Sequence, residues 1–257
     1  MQINITVDDP TSDDGTGPVT VGWFLNNVKS AIIYDAPRRV RSAELSAKHA
    51  KSASRCPAVL ALEARLFEIC CPIDVALGFE RGEDGKTRLR VLGGDKSNIR
   101  ASRLGEFIHL TKEPEWRHPE RPMLQLALPY TFVSDAPVYL NQLAPFLHYR
   151  DDPLPGTIFA GRFPIHVWPR PLMWAFEWHD ISKPLVLRRG EPLFYAQFET
   201  VPQDRPIVLV EAEKTPELME YLDMIAGTVN YVSQTFSMFR TAEERRPTHL
   251  LTPKRRK

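Results

Sequence analysis

Residues 161–199 read GRFPIHVWPRPLMWAFEWHDISKPLVLRRGEPLFYAQFE, and this stretch decides the fold of the chain. Over residues 172–178 large apolar side chains alternate with the others, which is the two-residue period of a β-strand. Residues 183–189 and 193–200 have a similar strand-forming composition, and the tetrad RGEP between them is typical of a turn. Three strands within this one stretch predict an antiparallel meander or a jelly-roll segment.

A β-hairpin is predicted over residues 79–91. Its centre is Asp84-Gly85, which suits the positive φ angles of a tight turn, and strand-like residues flank it. Further strands are predicted at 106–111 and 123–132, separated by the charged loop KEPEWRHPERP at 112–122. The pattern outside the central stretch therefore also indicates short strands joined by turns.

The 23 prolines are spread among the apolar runs, which favours many short strands over long helices. We expect a mainly β (α+β) protein, an antiparallel jelly roll or double-stranded β-helix of the β-sandwich type. Residues 1–240 should form a single domain that begins with a strand at 2–7 and carries an exposed basic helix or loop at 37–55. Residues 241–257 should form a basic flexible tail.

One long helix is predicted near the C-terminus, over residues 216–239. Thr215 can cap it, Pro216 suits its first turn, and Glu217 suits the positive end of the helix dipole. Apolar residues then recur at three- and four-residue steps along one stripe. We expect this stripe to pack against the β body or, alternatively, against a second copy of the chain in a homo-oligomer.

The overall composition argues against partners that are attracted by the charge of the whole chain, so any such attraction must be local. Lys and Arg total 33 against 32 Asp and Glu, so no global field draws the protein to nucleic acid or to an anionic membrane. Three cysteines without metal-ligand spacing, and without a secretory signal before them, predict a reducing compartment. No apolar run approaches the roughly 20 residues that span a bilayer. We expect a soluble, cytoplasmic protein.

Aromatic and arginine side chains form the first candidate site. Arg162, Trp168, Arg170, Trp174 and Trp178 could line a pocket in which a guanidinium pairs with a carboxylate or phosphate. Alternatively, the tryptophans form the core between two sheets, which we favour for Trp174. The rigid Trp-Pro-Arg-Pro turn leaves both interpretations open for Trp168 and Arg170. The pocket predicts a binding or assembly protein for a small molecule or a protein partner, with no cofactor.

Histidines and one carboxylate form the second candidate site. A non-haem iron site on a double-stranded β-helix needs two imidazoles and a carboxylate, and alternate strand residues point the same way. Glu177 and His179 have this spacing, and His166 could be the second imidazole, although on one strand the pair faces away from Trp174 and Trp178. The alternative hypothesis is an Fe(II)/2-oxoglutarate-dependent oxygenase, weighed against surface or hydrogen-bonded core histidines.

Basic segments at 38–55 and 245–257 suggest a third hypothesis, a nucleic-acid-binding accessory protein, because clustered cations release counterions when they meet phosphates. No aromatic residue interleaves with the first segment to stack on bases, which favours an ordinary solvated face.

Nucleophilic catalysis has no support, because no Gly-x-Ser-x-Gly occurs and Cys70-Cys71 lies inside an apolar run.

Four short motifs carry a family resemblance: Cys56-Pro57-Ala58, Gly161-Arg162-Phe163, Trp174-Ala175-Phe176-Glu177-Trp178 and Gly190-Glu191-Pro192. With them the chain resembles uncharacterised conserved proteins of bacteriophages and marine bacteria over residues 56–200. Residues 161–192 also resemble a cupin, with His166-Val167-Trp168 where a His-x-His pair would stand. The second histidine is missing, and with it the cupin metal set. The resemblance implies a cupin-like β core and a phage context, in the host cytoplasm or virion, and implies no activity.

Overall fold

The computed structural model describes residues 17–28, 32–41, 52, 55–93, 97–201, 205–230 and 234–255. The strands within these residues are β1 (Val19–Leu25), β2 (Arg38–Arg39), β3 (Leu66–Cys70), β4 (Val75–Arg81), β5 (Thr87–Val91), β6 (Ile108–Leu110), β7 (Met123–Ala127), β8 (Tyr130–Val133), β9 (Val138–Leu143), β10 (Gly156–Ile158), β11 (Gly161–Pro164), β12 (Met173–Trp178), β13 (Leu185–Leu187), β14 (Pro192–Thr200) and β15 (Ile207–Glu211). The helices are α1 (Pro57–Glu63), α2 (Pro216–Thr228) and α3 (Thr235–Glu244), with 3-10 turns at Ala101–Glu106 and Glu113–Glu115. The protein is mainly β, as predicted.

The described strands form four sheets. Their orders are β11-β9-β14-β3-β2, β10-β12-β7-β6, β13-β4-β5 and β15-β1-β8. Neighbouring strands are antiparallel in these sheets, apart from the parallel pair β1–β15. The predicted antiparallel character is therefore confirmed, and the parallel pair is an addition that the sequence pattern does not indicate.

The aromatic stretch forms the centre of the main core. Alternation along β12 places Trp174, Phe176 and Trp178 in one buried cluster, and the rings of Trp174 and Phe176 stack with centroids 5.1 Å apart. From β14, Phe194 and Phe198 enter the same cluster. The strands predicted at 172–178 and 193–200 are thus confirmed, because their period of two matches the two faces of a pleated sheet.

The predicted hairpin is also confirmed, as the pair β4–β5. Gly85 in its turn has a φ of +72°, a left-handed conformation that favours glycine. Asp84 accepts a hydrogen bond from the backbone N–H of Lys86 at 3.1 Å, which fixes the turn. The strand pairing begins next to this turn with Arg81 and Thr87 and extends to Leu77 and Val91.

The β15-β1-β8 sheet separates the main core from α2 and α3. Along β1, Val19 and Val21 enter the main core, whereas Phe24 enters a second cluster on the other face. This second cluster contains Val133 of β8 and the apolar stripe of α2, formed by Leu218, Leu222 and Ile225. The stripe therefore packs against its own β body, one of the two arrangements that its sequence allows.

The structure divides the predicted long helix into two. Thr215 caps α2 as predicted, accepting a hydrogen bond from Leu218 N–H at 3.2 Å. The helix ends at Thr228, which follows Gly227, precedes the β-branched Val229 and donates its hydroxyl back to Met224 O. Glycine and β-branched residues are poor helix formers, and this back-bonding competes with the helix, so the stripe does not continue without interruption to residue 239.

Residues 245–255, which the sequence assigns to a flexible tail, lie against the β15-β1-β8 sheet. Leu250 is buried in the second cluster, and its N–H donates to Asp135 Oδ1 at 2.6 Å. Pro253 forms a bridge with Ala212.

The strand predicted at 2–7 and most of the segment 37–55 lie outside the described residues. In the described part of the chain, no helix is both long and apolar enough to span a membrane.

Candidate functional site

The structure separates the five residues of the predicted aromatic pocket. Trp174 and Trp178 are fully buried in the main core, as the alternative interpretation proposed for Trp174. Arg162 lies on β11, where its guanidinium stacks on the ring of Tyr139 at 3.7 Å and pairs with Glu199 at 3.0 Å. A hydrogen bond from Asn141, and then this ion pair, lower the pKa of the Glu199 carboxyl.

Trp168 and Arg170 do come together, at a small cleft between the β body and α3. The cleft has a volume of about 290 Å³, and Phe163, Met238 and Phe239 also line it. The Trp168 ring is buried, with its centroid 5.6 Å from that of Phe239. Most of the indole is therefore used to attach α3 to the β body.

The metal ligands of the oxygenase hypothesis are not assembled as a set. Glu177 Oε2 lies 3.3 Å from His179 Nε2, so the structure brings these two together. His166 lies in the turn after β11, where its Nδ1 is 2.9 Å from Val138 O and its ring packs on Tyr139. Among the described residues, no three His, Cys, Asp or Glu side chains form a group suited to a metal ion.

His166 makes the stability of the fold depend on pH. Burial, followed by the nearby Arg246 cation, lowers its pKa below the ordinary value of 6.5, although a hydrogen bond with Val138 acts in the opposite direction. The folded protein therefore favours neutral His166, and below about pH 6.5 the unfolded chain binds a proton that the folded chain takes up less readily. His166 contributes stability above that pH and loses it as the pH falls through the folded pKa.

We expect the Tm of the wild type to fall between pH 7 and pH 5 by a few degrees more than that of His166→Asn, whose amide can keep the Val138 contact without titrating. Thermal unfolding followed by circular dichroism at several pH values would measure this. Parallel pH profiles for the two proteins would show that His166 is not the responsible group.

The buried cysteines and several described cations serve the structure. Burial raises the pKa of Cys70 to about 11 and that of Cys71 to about 12, so neither is a thiolate at neutral pH. Arg39 donates to Ala64 O, Arg246 donates to Asp135 O, and Lys254 pairs with Glu211. These three cations of the two basic segments are therefore engaged within the protein, while most of segment 38–55 lies outside the described residues.

A larger cleft, which we call the Trp116 cleft, lies where β4 and β12 end. Its volume is about 560 Å³, within the range of small-molecule sites. Its lining residues are Phe79, Arg81, Trp116, Pro119, Glu120, Pro122, His179, Asp180, Ile181 and Ser182. Aromatic rings, an arginine and a histidine thus meet in one concavity, although its residues are not those predicted from the sequence, apart from His179.

The aromatic wall of this cleft is continuous with the main core. Trp116 is 8% exposed, and its Nε1–H donates to Thr111 O at 3.1 Å, which fixes the indole. The ring of Phe79 meets Trp116 edge to face at 6.1 Å and Trp178 at 6.5 Å. A row of three rings therefore runs from the cleft into the core, and the wall is rigid before any ligand binds.

Backbone hydrogen bonds position the polar side of the cleft. Trp178 N–H donates to Pro122 O, and the N–H groups of His179 and Asp180 both donate to Pro155 O. These bonds hold residues 178–180 between two loops. Within this turn, Asp180 accepts from Ser182, which is the main reason for its lowered pKa, and also pairs with Lys183 at 3.4 Å.

His179 places an imidazole with defined hydrogen-bond contacts at the polar side of the cleft. Its Nε2 lies 3.0 Å from Thr157 Oγ1 and 3.3 Å from Glu177 Oε2, and Arg117 lies 3.9 Å from the same carboxylate oxygen. Glu177 is buried although it faces away from the tryptophans. In the tautomer with the proton on Nε2, the neutral ring would donate toward these oxygens and keep Nδ1 as an acceptor. The arrangement orients an imidazole for hydrogen bonding.

Sequence reasoning missed Trp116 because it lies in the loop KEPEWRHPERP, whose charges and prolines indicate a solvated connection. The available signal was the single large aromatic residue among them, since a tryptophan in a charged loop usually packs against a neighbouring element.

The chain matches no model of a known protein family, no curated protein and no solved structure.

Proposed function

We propose that this is a binding protein whose recognition site is the Trp116 cleft, and that its ligand is a small, uncharged polar molecule with a flat apolar face. The observation that carries the proposal is the rigid pair of Trp116 and Phe79 rings, which forms one wall of a cleft rimmed by hydrogen-bonding groups. A flat apolar face would pack on this wall, and the polar groups of the ligand would bond to the rim.

The charges at the rim support an uncharged ligand. Arg81 pairs with Glu113 at 2.9 Å, and Asp180 pairs with Lys183 at 3.4 Å, so each of these charges is already compensated. Within the part of the chain that the structure describes, the Glu120 carboxylate has no recorded partner and adds one negative charge. With one uncompensated negative charge, the rim does not attract an anion. Its hydrogen-bond donors and acceptors can bind the polar groups of a neutral ligand.

The test is a binding measurement with neutral and charged probes on the full chain. Saturation-transfer NMR would compare methyl glycosides and nucleosides with benzoate and benzylamine. We expect a neutral probe to bind, and Trp116→Ala to weaken it by at least about tenfold, because a lost aromatic contact costs roughly 1.5–3 kcal/mol.

Trp168→Ala is the matched control, because Trp168 is buried to a similar degree in the other cleft. The affinity of the Trp168→Ala variant for the neutral probe should stay within about threefold of that of the wild type. If Trp168→Ala removes binding and Trp116→Ala does not, the site predicted from the sequence is the correct one. If benzylamine alone binds, and Glu120→Gln abolishes its binding, the ligand is a cation and the proposal is wrong.

We also propose that the β body is a jelly roll with a cupin-like core. β3 pairs with β14, and β4, which follows β3, pairs with β13, which precedes β14. Segments 66–81 and 185–200 therefore run antiparallel beside each other across two sheets, as in the winding of a jelly roll. An experimental structure in which β3 and β4 pair with other strands would contradict this assignment.

The phage context and the host cytoplasm or virion rest on the sequence resemblance alone and stay proposals, as does an assembly role. Self-association through the helical layer is also a proposal, and Phe236 on α3, which is 86% exposed, would lie at such an interface. Light scattering of the purified protein would distinguish a monomer from a homo-oligomer.

A further inference from the structure

A third cleft, which we call the arginine cleft, lies at the opposite end of β4 from the Trp116 cleft. Its volume is about 390 Å³. Its polar lining consists of Asn98, Arg100, Arg103 and Arg189, and its apolar lining consists of Ile32, Ile33, Pro72, Ile73, Ile99 and Phe107. β4 has seven residues, so the two clefts are separated by a strand of roughly 20 Å and can be altered independently.

The apolar part of the arginine cleft combines a fixed floor with an open edge. Ile73 and Phe107 are almost completely buried and belong to the main core, so their positions are fixed. Ile33, in contrast, is 67% exposed. An isoleucine left in water beside a concave apolar surface provides area that a bound apolar group would cover.

The charged part has an excess of guanidinium groups. Arg103 forms two hydrogen bonds with Glu106, at 3.0 and 2.9 Å, and is therefore compensated. Among the described residues, Arg100 and Arg189 have no recorded ion-pair partner. Asp74 accepts the backbone N–H of Arg189, so among these described groups three guanidinium groups stand against two carboxylates, those of Glu106 and Asp74.

Asp74 organises this part of the site through backbone bonds. Its carboxylate accepts the N–H of Arg189 at 3.0 Å, and its own N–H donates to Asn98 Oδ1 at 3.2 Å. Asn98 N–H returns a bond to Asp74 O at 2.9 Å. The backbone that carries Arg189 is thus tied to the segment that leads to Arg100, which lowers the ordering cost when a ligand contacts both.

We propose that the arginine cleft binds an organic carboxylate with an apolar body, such as a medium-chain fatty acid. The guanidinium groups of Arg100 and Arg189, which form no ion pair with another described residue, match the two oxygens of a carboxylate, and Arg is suited to such bidentate contacts. The aliphatic body covers Ile33 and packs on the floor of Ile73 and Phe107. This site is distinct from the Trp116 cleft and does not depend on the function proposed for it.

The test is calorimetric titration of the full chain with octanoate, and with 1-octanol and inorganic phosphate as probes of the two halves of the ligand. We expect saturable octanoate binding, with octanol and phosphate each at least about tenfold weaker. Arg100→Gln and Arg189→Gln should each weaken octanoate by about tenfold, because each removes a charge-assisted contact. Both side chains are exposed, so the fold should not be affected.

Arg88→Gln is the matched control, because it removes the same charge from the β4–β5 hairpin, where Arg88 pairs with Asp84. It should change octanoate affinity by less than about twofold, and so should Ile181→Ser in the Trp116 cleft. The proposal is wrong if octanoate binding does not saturate, if octanol or phosphate binds as tightly as octanoate, or if Arg88→Gln weakens binding as much as Arg100→Gln.

Discussion

Trp178→Ala is expected to lower the free energy of unfolding by about 3–5 kcal/mol, the usual cost of deleting a large buried aromatic side chain. Trp178 is fully buried, contacts Phe79 and donates its Nε1–H to Asp180 O at 2.9 Å. The substitution leaves a cavity at the end of β12 and removes one of the two hydrogen bonds that Asp180 O accepts, the other coming from Lys183 N–H. Urea unfolding followed by circular dichroism would measure the loss, which is a large part of the 5–15 kcal/mol typical of a domain.

Two milder substitutions separate packing from hydrogen bonding. Trp174 is as deeply buried as Trp178, but its Nε1 is one of the buried polar atoms without a partner in the described structure. Trp178→Phe should therefore cost about 1–2 kcal/mol more than Trp174→Phe, since only the former breaks a hydrogen bond. Equal losses would mean that the indole N–H of Trp178 contributes nothing measurable.

Gly156→Ala should cost about 2–3 kcal/mol, because β10 and β12 approach each other too closely for any side chain there. A Cβ atom at residue 156 would lie 2.0 Å from Glu177 O and 2.8 Å from the Phe176 ring. Backbone cannot move aside as a flexible side chain does, so β10 must shift away from β12. Thermal unfolding would show the loss.

The same shift should reach the Trp116 cleft, because Pro155, next to Gly156, accepts the backbone bonds of His179 and Asp180. Gly161→Ala is the control, since its nearest neighbour would be the Phe163 ring at 3.8 Å, and it should change stability by less than about 0.5 kcal/mol. Comparable effects of the two substitutions would show that β10 is not constrained in this way.

The local elements were predictable wherever one pattern dominated. The alternation of residues 172–178 predicted β12, Asp84-Gly85 predicted the β4–β5 turn, and Thr215 predicted the start of α2. Each of these signals acts over a few residues, through strand pleat, turn φ angles or capping, and is therefore readable from the sequence. The predicted end of this helix at residue 239 was wrong, because an apolar stripe indicates which face is buried and does not indicate that Gly227 interrupts the helix.

Contacts between distant residues could not be predicted in the same way. The parallel pairing of β1 with β15, the Trp116 cleft and the arginine cleft depend on how separate segments pack. Glu177 shows the limit clearly: alternation places it on the face opposite Trp178, but only the position of other elements decides that this face is also buried. Trp116 and Phe79 meet across 37 positions of sequence, and no local pattern relates them.

The pairing of Val19 with Ile207 also affects how the protein is made. A ribosome adds about 5–20 residues per second, so β1 emerges roughly ten to forty seconds before its parallel partner exists. During translation one edge of this apolar strand is without its native neighbour, and such edges recruit other chains. We therefore expect the nascent chain to be open to association at this edge until β15 has left the ribosome.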